Sequence, residues 1–444
     1  MKSIKKWFKD NQKIIKFTLI AFVIWQIAVA VIIALGVKYF PTTNQYLYFE
    51  RSEKQGSPYF ERSEKQGFPY FERSEKQGPP HTEKQMINPP WLWNRANFDG
   101  INYLDIAKKG YGIYQQAFFP LYPKLIAWLT PLFGGRNLVA AWTINLVCLY
   151  LALFFFYKLV ALDFSEKVSK RTLLYLLIFP TAFFFAMVYT ESLFFFLIIA
   201  SFYFARNKVL PKAGSYFART KKWWLAGIFG GLASATRLPG IFLFPALLVE
   251  WWQQKSVTSG QWPVVRKKPI TNHQSLITLI PLLLIPFGLI YYMRFLAVNF
   301  GDSLMFIHVQ KFFGAGRSAD RIILLYQVFW RYFKMLVTVE KNTLTYFAVV
   351  MEFLAAASFL TLIIFTYLKR WYSYLVFMLL AYIAPTLTGT FSSLPRYALL
   401  LFPGFILLGL WAEKYRWLRI LYPILAILLF IICLLLFTRG YWVA

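Results

Sequence analysis

Few acidic residues in this chain are placed to do chemistry, and three of them lie in strongly apolar surroundings. Asp99 and Asp105 are six residues apart in NFDGINYLDIAKKGY, and Glu191 begins the segment ESLFFFL. A carboxylate beside lipid costs desolvation free energy unless it is paired with a cation or used. These three acids are therefore candidates for a proton acceptor or for polar contacts with a substrate.

The two aspartates also have structural interpretations. Asp99 fits the N-terminal cap of a short amphipathic helix, and Asp105 on that helix can pair with one of the two lysines that follow it. Between an aromatic residue and a glycine, Asp99 would alternatively lie in a tight turn close to a substrate. The helix has an apolar side that we expect to rest on lipid, formed by Tyr103, Ile106 and Ala107.

Burying two of the arginines costs as much desolvation free energy as burying the acids. Arg237 in ATRLPG and Arg396 in SLPRY each lie between apolar runs and beside a proline. A guanidinium there needs a carboxylate, carbonyl groups or a phosphate. A salt bridge with Glu191 is one interpretation, and the phosphate of a lipid-linked ligand is the other. Glu191 itself is tolerated at the start of a helix by the helix dipole, with Thr190 as a possible cap.

Composition places these residues in a polytopic membrane protein. The chain has 444 residues, of which 58% are hydrophobic and 20% aromatic, with a mean hydropathy of +0.50. That much apolar surface cannot be hidden in a soluble globule of this size. The net charge of +29 comes from basic residues clustered between apolar runs, so it indicates membrane topology and not a nucleic-acid partner.

Apolar runs predict an all-α, polytopic bundle of about eleven spans, if short tilted pairs are counted. The run at 223–252 is interrupted by ATRLPG, which predicts two short helices that enter and leave from one side. AFFPLYPKLIAWLTPLF is predicted to be a surface or half-inserted helix. The runs lie at 17–37, 137–161, 172–188, 192–205, 223–252, 276–298, 343–368, 371–391, 397–412 and 420–438.

Loop charges predict the orientation and the organisation of the chain. Lys/Arg-rich loops, including 206–222, are expected on the cytoplasmic side, and all the polar motifs above then face the opposite side. The predicted segments are a cytoplasmic tail at 1–16, a first transmembrane helix at 17–37, an extracytoplasmic loop with amphipathic helices at 38–136, a multi-span bundle at 137–438 and a short tail at 439–444.

A tandem repeat interrupts the large first loop. YFERSEKQGSP, YFERSEKQGFP and YFERSEKQGPP follow each other from Tyr48 to Pro80. Each unit ends in Gly-x-Pro, which stops a helix, and the units are too short to build a solenoid core. The repeat at 48–80 is therefore interpreted as an inert insert, with a specific binding module as the alternative.

Common signatures of cofactor and metal chemistry are absent from the sequence. It contains no Walker loop, no GxGxxG and no Cys/His cluster, and it has only 3 histidines and 2 cysteines. No cofactor is predicted, and no metal site is indicated.

The set FDGINYLDIAKKGY, AFFPLYP, YTESLFFFL, ATRLPG and SLPRY, in this order, resembles the PIG-V-type mannosyltransferases, which include the second mannosyltransferase of GPI-anchor assembly. The resemblance covers about residues 91 to 410. It implies a GT-C-like glycosyltransferase that takes a hexose, mannose in this family, from a polyprenyl-phosphate carrier and transfers it with inversion. The acceptor would be a glycolipid, a polysaccharide or a protein.

The resemblance also implies roles for individual residues. Asp99 would be the catalytic base, and Tyr189, Glu191, Arg237 and Arg396 would bind substrate. Asp105, which the resemblance does not assign, is also predicted to bind substrate. The departures from the family pattern are NFDG, where many relatives have a tryptophan before the acid, and the repeat insert. A prokaryotic plasma membrane, or the endoplasmic reticulum membrane of a eukaryote, is the expected location, with the site on the extracytoplasmic face.

Two other functions fit the residues less well. A transporter or flippase of lipid-linked saccharides would also need intramembrane arginines, but it should show internal repeats and cations on both sides of a midplane site. A scaffold without activity would tolerate Asp99→Asn.

Overall fold

The computed structural model describes residues 2–41, 90–207, 215–256, 279–313, 317–318 and 321–443, so the repeat at 48–80 lies outside the described residues. Within these ranges all regular structure is helical, which confirms the predicted all-α class. The helices are α1 Lys2–Tyr39, α2 Pro90–Trp93, α3 Asp99–Lys109, α4 Leu121–Leu129, α5 Asn137–Val160, α6 Glu166–Leu177, α7 Glu191–Arg206, α8 Ser215–Thr236, α9 Leu243–Ser256, α10 Leu284–Phe300, α11 Met305–His308, α12 Leu325–Thr338, α13 Leu344–Leu368, α14 Tyr372–Thr386, α15 Leu394–Tyr397, α16 Phe402–Lys414 and α17 Arg416–Thr438.

Several helices are long and apolar enough to cross a membrane. The described residues contain 5 of them, and a sixth if the two helices bent by 77° at 394–414 form one span. The predicted count of about eleven spans is therefore not confirmed. The five are Phe8–Tyr39, Asn137–Val160, Ile280–Phe300, Leu344–Leu368 and Arg416–Thr438.

The predicted span at 172–188 is wrong as a continuous helix. α6 ends at Leu177, and after Pro180 the chain forms a single 3₁₀ segment, Ala182–Ala186. Every residue from Thr181 to Phe195 is buried. The hydropathy of this stretch therefore reflects a position inside the protein and not contact with lipid.

Two other predictions concern short elements; the structure shows their helices, and their placement in the membrane stays a prediction. ATRLPG separates α8 from α9 with the 3₁₀ segment Leu238–Phe242. Gly240 is required there, because a Cβ at this position would lie 2.3 Å from the backbone carbon of Ala233. In AFFPLYPKLIAWLTPLF the residues Leu121–Leu129 form α4, whose 9 residues give a helix of roughly 13.5 Å, too short to span a bilayer.

α7 lies at the centre of the bundle and packs against α5 and α8. Its aromatic residues interlock with both neighbours: Phe196 meets Phe155 of α5, and Phe204 stacks on Phe229 of α8 with ring centroids 5.6 Å apart. Because α7 is enclosed on most sides, its first residue, Glu191, is held deep in the protein.

The short helix α3 corresponds to the predicted amphipathic helix, but its apolar side packs into protein. Tyr103 and Ile106 are buried, and the ring of Tyr103 lies against the rings of Phe118, Tyr122 and Tyr189. The expectation that this face rests on lipid is wrong. The helix is amphipathic because it covers the bundle, so its pattern alone cannot distinguish a lipid surface from a protein surface.

The C-terminal end of the chain supports the loop that contains Asp99. The ring of Phe98 packs edge-on against Trp442 at 5.3 Å and tilts against Phe437 at 5.6 Å. Asn97 donates its side-chain amide to the backbone carbonyl of Phe437 at 2.8 Å. The predicted short tail at 439–444 is thus in part a packed element, and it meets the NFDG turn.

Candidate active site

Four charged side chains from four separate segments form one ion-pair network. Arg396 Nη1 lies 2.8 Å from Asp99 Oδ2, and Arg396 Nε lies 3.4 Å from Glu191 Oε1. The same Glu191 oxygen lies 2.7 Å from Arg237 Nη1. We call Asp99, Glu191, Arg237 and Arg396 the ion network. The sequence identified all four as costly polar residues, and the structure brings them together.

Exposure increases from one side of the ion network to the other. The side chain of Glu191 is 1% exposed and that of Arg396 6%, whereas Arg237 is 14% and Asp99 22% exposed. Among the described residues, Glu191 Oε2 has no hydrogen-bond partner. Glu191 is therefore the buried anchor of both arginines, and Asp99 and Arg237 form the accessible edge.

A strained turn positions Asp99 at the first residue of α3. The residue before it, Phe98, has φ 59° and ψ −120°, a conformation that is costly for a residue with a side chain. The phenol of Tyr189 holds this turn on both sides, donating to the carbonyl of Asn97 at 2.8 Å and accepting from the amide of Asp99 at 3.2 Å. The N-cap position of α3 is Phe98, and Asp99 is the first helical residue, so Asp99 does not occupy the capping position.

The NFDG turn is fixed to the segment before α7 by residues that the sequence analysis did not single out. Arg95 is 2% exposed, donates to the carbonyl of Ala186 at 3.1 Å, and lies over the ring of Trp142. Its own carbonyl accepts from the amide of Val188 at 2.8 Å. Arg95 precedes Asp99 by four residues in NRANFDG, and a cation so close to Asp99 in an apolar chain was the available signal.

The two arginines are presented by proline-containing turns. Arg237 precedes the 3₁₀ segment of LPGIF, and Arg396 lies in α15, whose Pro395 carbonyl accepts from Thr181 at 2.7 Å. The ring of Tyr397 lies 5.0 Å from the Arg237 guanidinium and 5.3 Å from that of Arg396. The aromatic ring and the carboxylates together hold both cations in one place.

Asp105 stands outside the ion network. It is half-buried on α3 and forms no ion pair within the described parts of the chain; burial raises the pKa of its carboxyl group, and the lysines at 108 and 109 oppose this. Its predicted contact with a substrate stays a prediction.

A second charged cluster lies at the other end of α7. Arg206, the last residue of the helix, lies 2.8 Å from Asp163 and 3.4 Å from Glu250. Since α7 has 16 residues, its two ends are separated by roughly 24 Å. The two clusters are therefore distinct, and only the one at the N-terminal end contains the predicted catalytic residues.

The described residues include no group of three or more His, Cys, Asp and Glu side chains that could hold a metal ion. Asp302, in the loop after α10, and His308, the last residue of α11, form a pair with Oδ2 and Nδ1 2.6 Å apart.

Comparison with known proteins identifies one family. The family model described as Mannosyltransferase (PIG-V) matches residues 71–239. This region contains Asp99, Tyr189, Glu191 and Arg237, and Arg396 lies beyond it. The comparison with curated proteins finds no match.

Solved structures with a similar course of the chain are oligosaccharyltransferases of Archaeoglobus fulgidus. The complex with zinc and sulfate is 15% identical with a TM-score of 0.39, over 79% of this chain and 49% of that chain. The complex of the archaeal enzyme AglB with an inhibitory peptide and a dolichol-phosphate is 16% identical with a TM-score of 0.38, over 80% and 52%. This chain thus spans about half the length of those chains.

The family match and the motifs quoted above cover the same acid loop, the same YTES segment and the same ATRLPG turn. Residues 71–239 are therefore similar to the PIG-V mannosyltransferase family, as the sequence motifs indicated.

Proposed function

We propose that the protein is a membrane glycosyltransferase that moves a hexose, mannose by its family, from a polyprenyl-phosphate-linked donor to an acceptor hydroxyl. The observation that carries this proposal is the ion network, in which the partly exposed carboxylate of Asp99 pairs with Arg396, and the buried Glu191 joins Arg396 to Arg237. Transfer from a sugar phosphate needs a proton acceptor for the attacking hydroxyl and cations for the departing phosphate. The ion network holds both kinds of group.

In the proposed reaction the acceptor oxygen attacks the anomeric carbon while the bond from that carbon to the phosphate oxygen breaks. The hydroxyl proton passes to Asp99, and the polyprenyl phosphate leaves with the bonding electron pair. Arg396 orients Asp99 through Oδ2, and Oδ1 accepts no hydrogen bond from the described residues. We assign Asp99 Oδ1 as the oxygen that accepts the proton. Attack opposite the phosphate inverts the anomeric configuration.

The arginines act on the phosphate. A guanidinium has five N–H donors, so Arg237 and Arg396 keep donors for phosphate oxygens while each holds a carboxylate. Glu191 and Tyr189 are each about 1% exposed, and they act as positioning residues that hold the arginines and the Asp99 turn. This differs from the direct substrate contacts implied by the resemblance for these two residues.

We place the site on the extracytoplasmic face. The Lys/Arg-rich loop 206–222 follows the C-terminal end of α7, and the positive-inside rule assigns such loops to the cytoplasm. The ion network lies at the N-terminal end of the same helix. The proposal includes no metal and no cofactor, and its acceptor is a glycolipid, a polysaccharide or a protein on that face.

The test is a transfer assay with purified protein in detergent. Polyprenyl-phosphate-mannose with labelled sugar is incubated with the protein and membrane extract, and GDP-mannose serves as the control donor. We expect label in the acceptor fraction from the lipid-linked donor alone. Label from GDP-mannose alone, or movement of the lipid-linked sugar across vesicle membranes without transfer, would contradict the proposal.

A further inference from the structure

The ion network is electrically balanced, and this limits what it can do for a phosphate. Two carboxylates face two guanidinium groups, and each arginine is within 2.8 Å of a carboxylate oxygen. During transfer the donor phosphate changes from one negative charge to nearly two. A cation that is not already neutralised would stabilise that change more strongly than the paired arginines can.

Arg317 is such a cation, and it lies beside the turn that carries Arg396. Its Nη2 is 3.4 Å from the hydroxyl of Ser393, and its Nη1 is 3.4 Å from the side-chain oxygen of Gln310. Both contacts are long and involve neutral oxygens, so they are weak. Among the described residues no carboxylate lies within ion-pair distance of Arg317; the buried carboxyl group of Glu352 is within electrostatic range, but its direct side-chain partner is the phenol of Tyr332.

The contact of Arg317 with Ser393 places it near the ion network. Ser393 precedes Arg396 by three residues, is fully buried, and has a left-handed backbone with φ 66°. Arg237, Arg317 and Arg396 all lie within electrostatic range of the side chain of Tyr397. Three cations therefore surround one half-buried phenol.

Backbone hydrogen bonds fix the segment that carries Arg317. The amide of Ser318 donates to the carbonyl of Thr388 at 2.9 Å, and the amide of Ile323 donates to the carbonyl of Leu387 at 3.0 Å. Gly389 has φ 89°, and a Cβ there would lie 2.4 Å from Ile323 Cδ1, so only glycine allows this close approach. Ser318, the residue next to Arg317, is thus tied to the segment that follows α14.

From this geometry we propose that Arg317 is a third arginine of the donor site, which binds the phosphate of the polyprenyl-phosphate ligand. The inference rests on the proposed function and adds a residue that neither the motifs nor the family match includes. When phosphate enters, the weak contacts of Arg317 with Gln310 and Ser393 are replaced by charge-assisted ones. Arg396 and Arg237 keep their carboxylates, so Asp99 stays oriented for the proton.

The test measures binding of a phosphate ligand without turnover. A short-chain polyprenyl phosphate is titrated into the full-length protein in detergent, with the matching polyprenol as a ligand that lacks the phosphate. We expect Arg317→Gln to weaken binding of the phosphate by about 10- to 100-fold, the equivalent of roughly 1.5 to 3 kcal/mol, and to leave the weak polyprenol binding unchanged. Arg317→Lys should recover part of the loss.

Arg321→Gln is the matched control, because Arg321 is an exposed arginine of the same segment. The Arg321→Gln variant should bind polyprenyl phosphate as tightly as the wild type does. The same titration is repeated with inorganic phosphate and with phosphatidylglycerol. If binding of phosphatidylglycerol depends on Arg317 as strongly as binding of polyprenyl phosphate does, the residue binds lipid phosphate in general and the proposal fails. Equal polyprenyl-phosphate affinity of Arg317→Gln and wild type would also overturn it.

A measurement on the unmodified chain covers the case in which Arg317→Gln does not fold. Phenylglyoxal labelling of Arg317, read by peptide mass spectrometry, should fall when polyprenyl phosphate is bound and stay unchanged with polyprenol. Labelling that is indifferent to both ligands would refute the inference. A wild type that protects Arg317 but transfers no hexose would refute only the proposed function, whereas normal transfer with an unprotected Arg317 would refute only the inference.

Discussion

Removal of the Glu191 charge should destabilise the protein more than removal of any exposed carboxylate. Glu191→Gln keeps the shape of the side chain and deletes the charge that lies 2.7 Å from Arg237 and 3.4 Å from Arg396. Arg396 keeps Asp99 as a partner, but Arg237 loses its carboxylate while only 14% exposed. An uncompensated buried charge of this kind costs about 3 to 5 kcal/mol, and the partial exposure of Arg237 favours the lower end.

Glu413→Gln is the matched control for this prediction. Glu413 also pairs with an arginine, Arg171, but its side chain is 38% exposed. Such a surface pair contributes about 0 to 1 kcal/mol. Unfolding in detergent can be followed with a thiol-reactive fluorescent dye, because both cysteines, Cys148 and Cys433, are buried and become reactive as the protein opens.

A double-mutant cycle then separates the ion pair from other effects. Glu191→Gln combined with Arg237→Gln should cost less than the two single changes added together, because the second change removes the unpaired cation. If Glu191→Gln unfolds at the same midpoint as Glu413→Gln and wild type, Glu191 is not the buried anchor described above.

The remaining predictions concern a turn, the insert and the topology. Gly240→Ala should destabilise the protein by about 1 to 3 kcal/mol or more and lower transfer, because the added Cβ meets the backbone of Ala233 at 2.3 Å. An unfolding midpoint equal to that of the wild type would contradict the packing of this turn. Deletion of 48–80 should leave transfer largely intact, and a total loss with normal insertion would show that the repeat is a working element. A cysteine at Ser215→Cys should resist an impermeant thiol reagent added to intact cells, and labelling from outside would reverse the assigned orientation.

The sequence alone predicted which residues matter at the site but not how they pair. Asp99 and Arg396 were recognised because a charge in apolar surroundings costs desolvation free energy unless it is paired or used. This argument requires no structure. Their ion pair joins residues 297 positions apart, so no local pattern contains it. The same limit applies to Glu191, for which a buried anchor and a substrate contact have the same sequence signature.

Hydropathy predicted helices correctly and lipid exposure less well. The stretch from Thr181 to Phe195 is apolar because it is enclosed by other helices, and the apolar side of α3 faces Tyr122 and Tyr189. Apolar side chains are favoured equally by lipid and by a protein interior, so hydropathy alone cannot distinguish a transmembrane span from a buried segment. Arg317 escaped notice because it lies in a polar loop, where a cation is unremarkable.

The central claim is that Asp99 accepts the proton of the attacking hydroxyl, and turnover of Asp99→Asn beside Asp105→Asn at saturating polyprenyl-phosphate-mannose tests it most directly. Asparagine keeps the size of the side chain and cannot take the proton, so Asp99→Asn should lower turnover by about 10²-fold or more while the protein stays folded. Asp105 lies on the same helix outside the ion network, and Asp105→Asn should retain most of its turnover. Near-normal turnover of Asp99→Asn would contradict the assignment, and a loss confined to Asp105→Asn would move the base to that carboxylate.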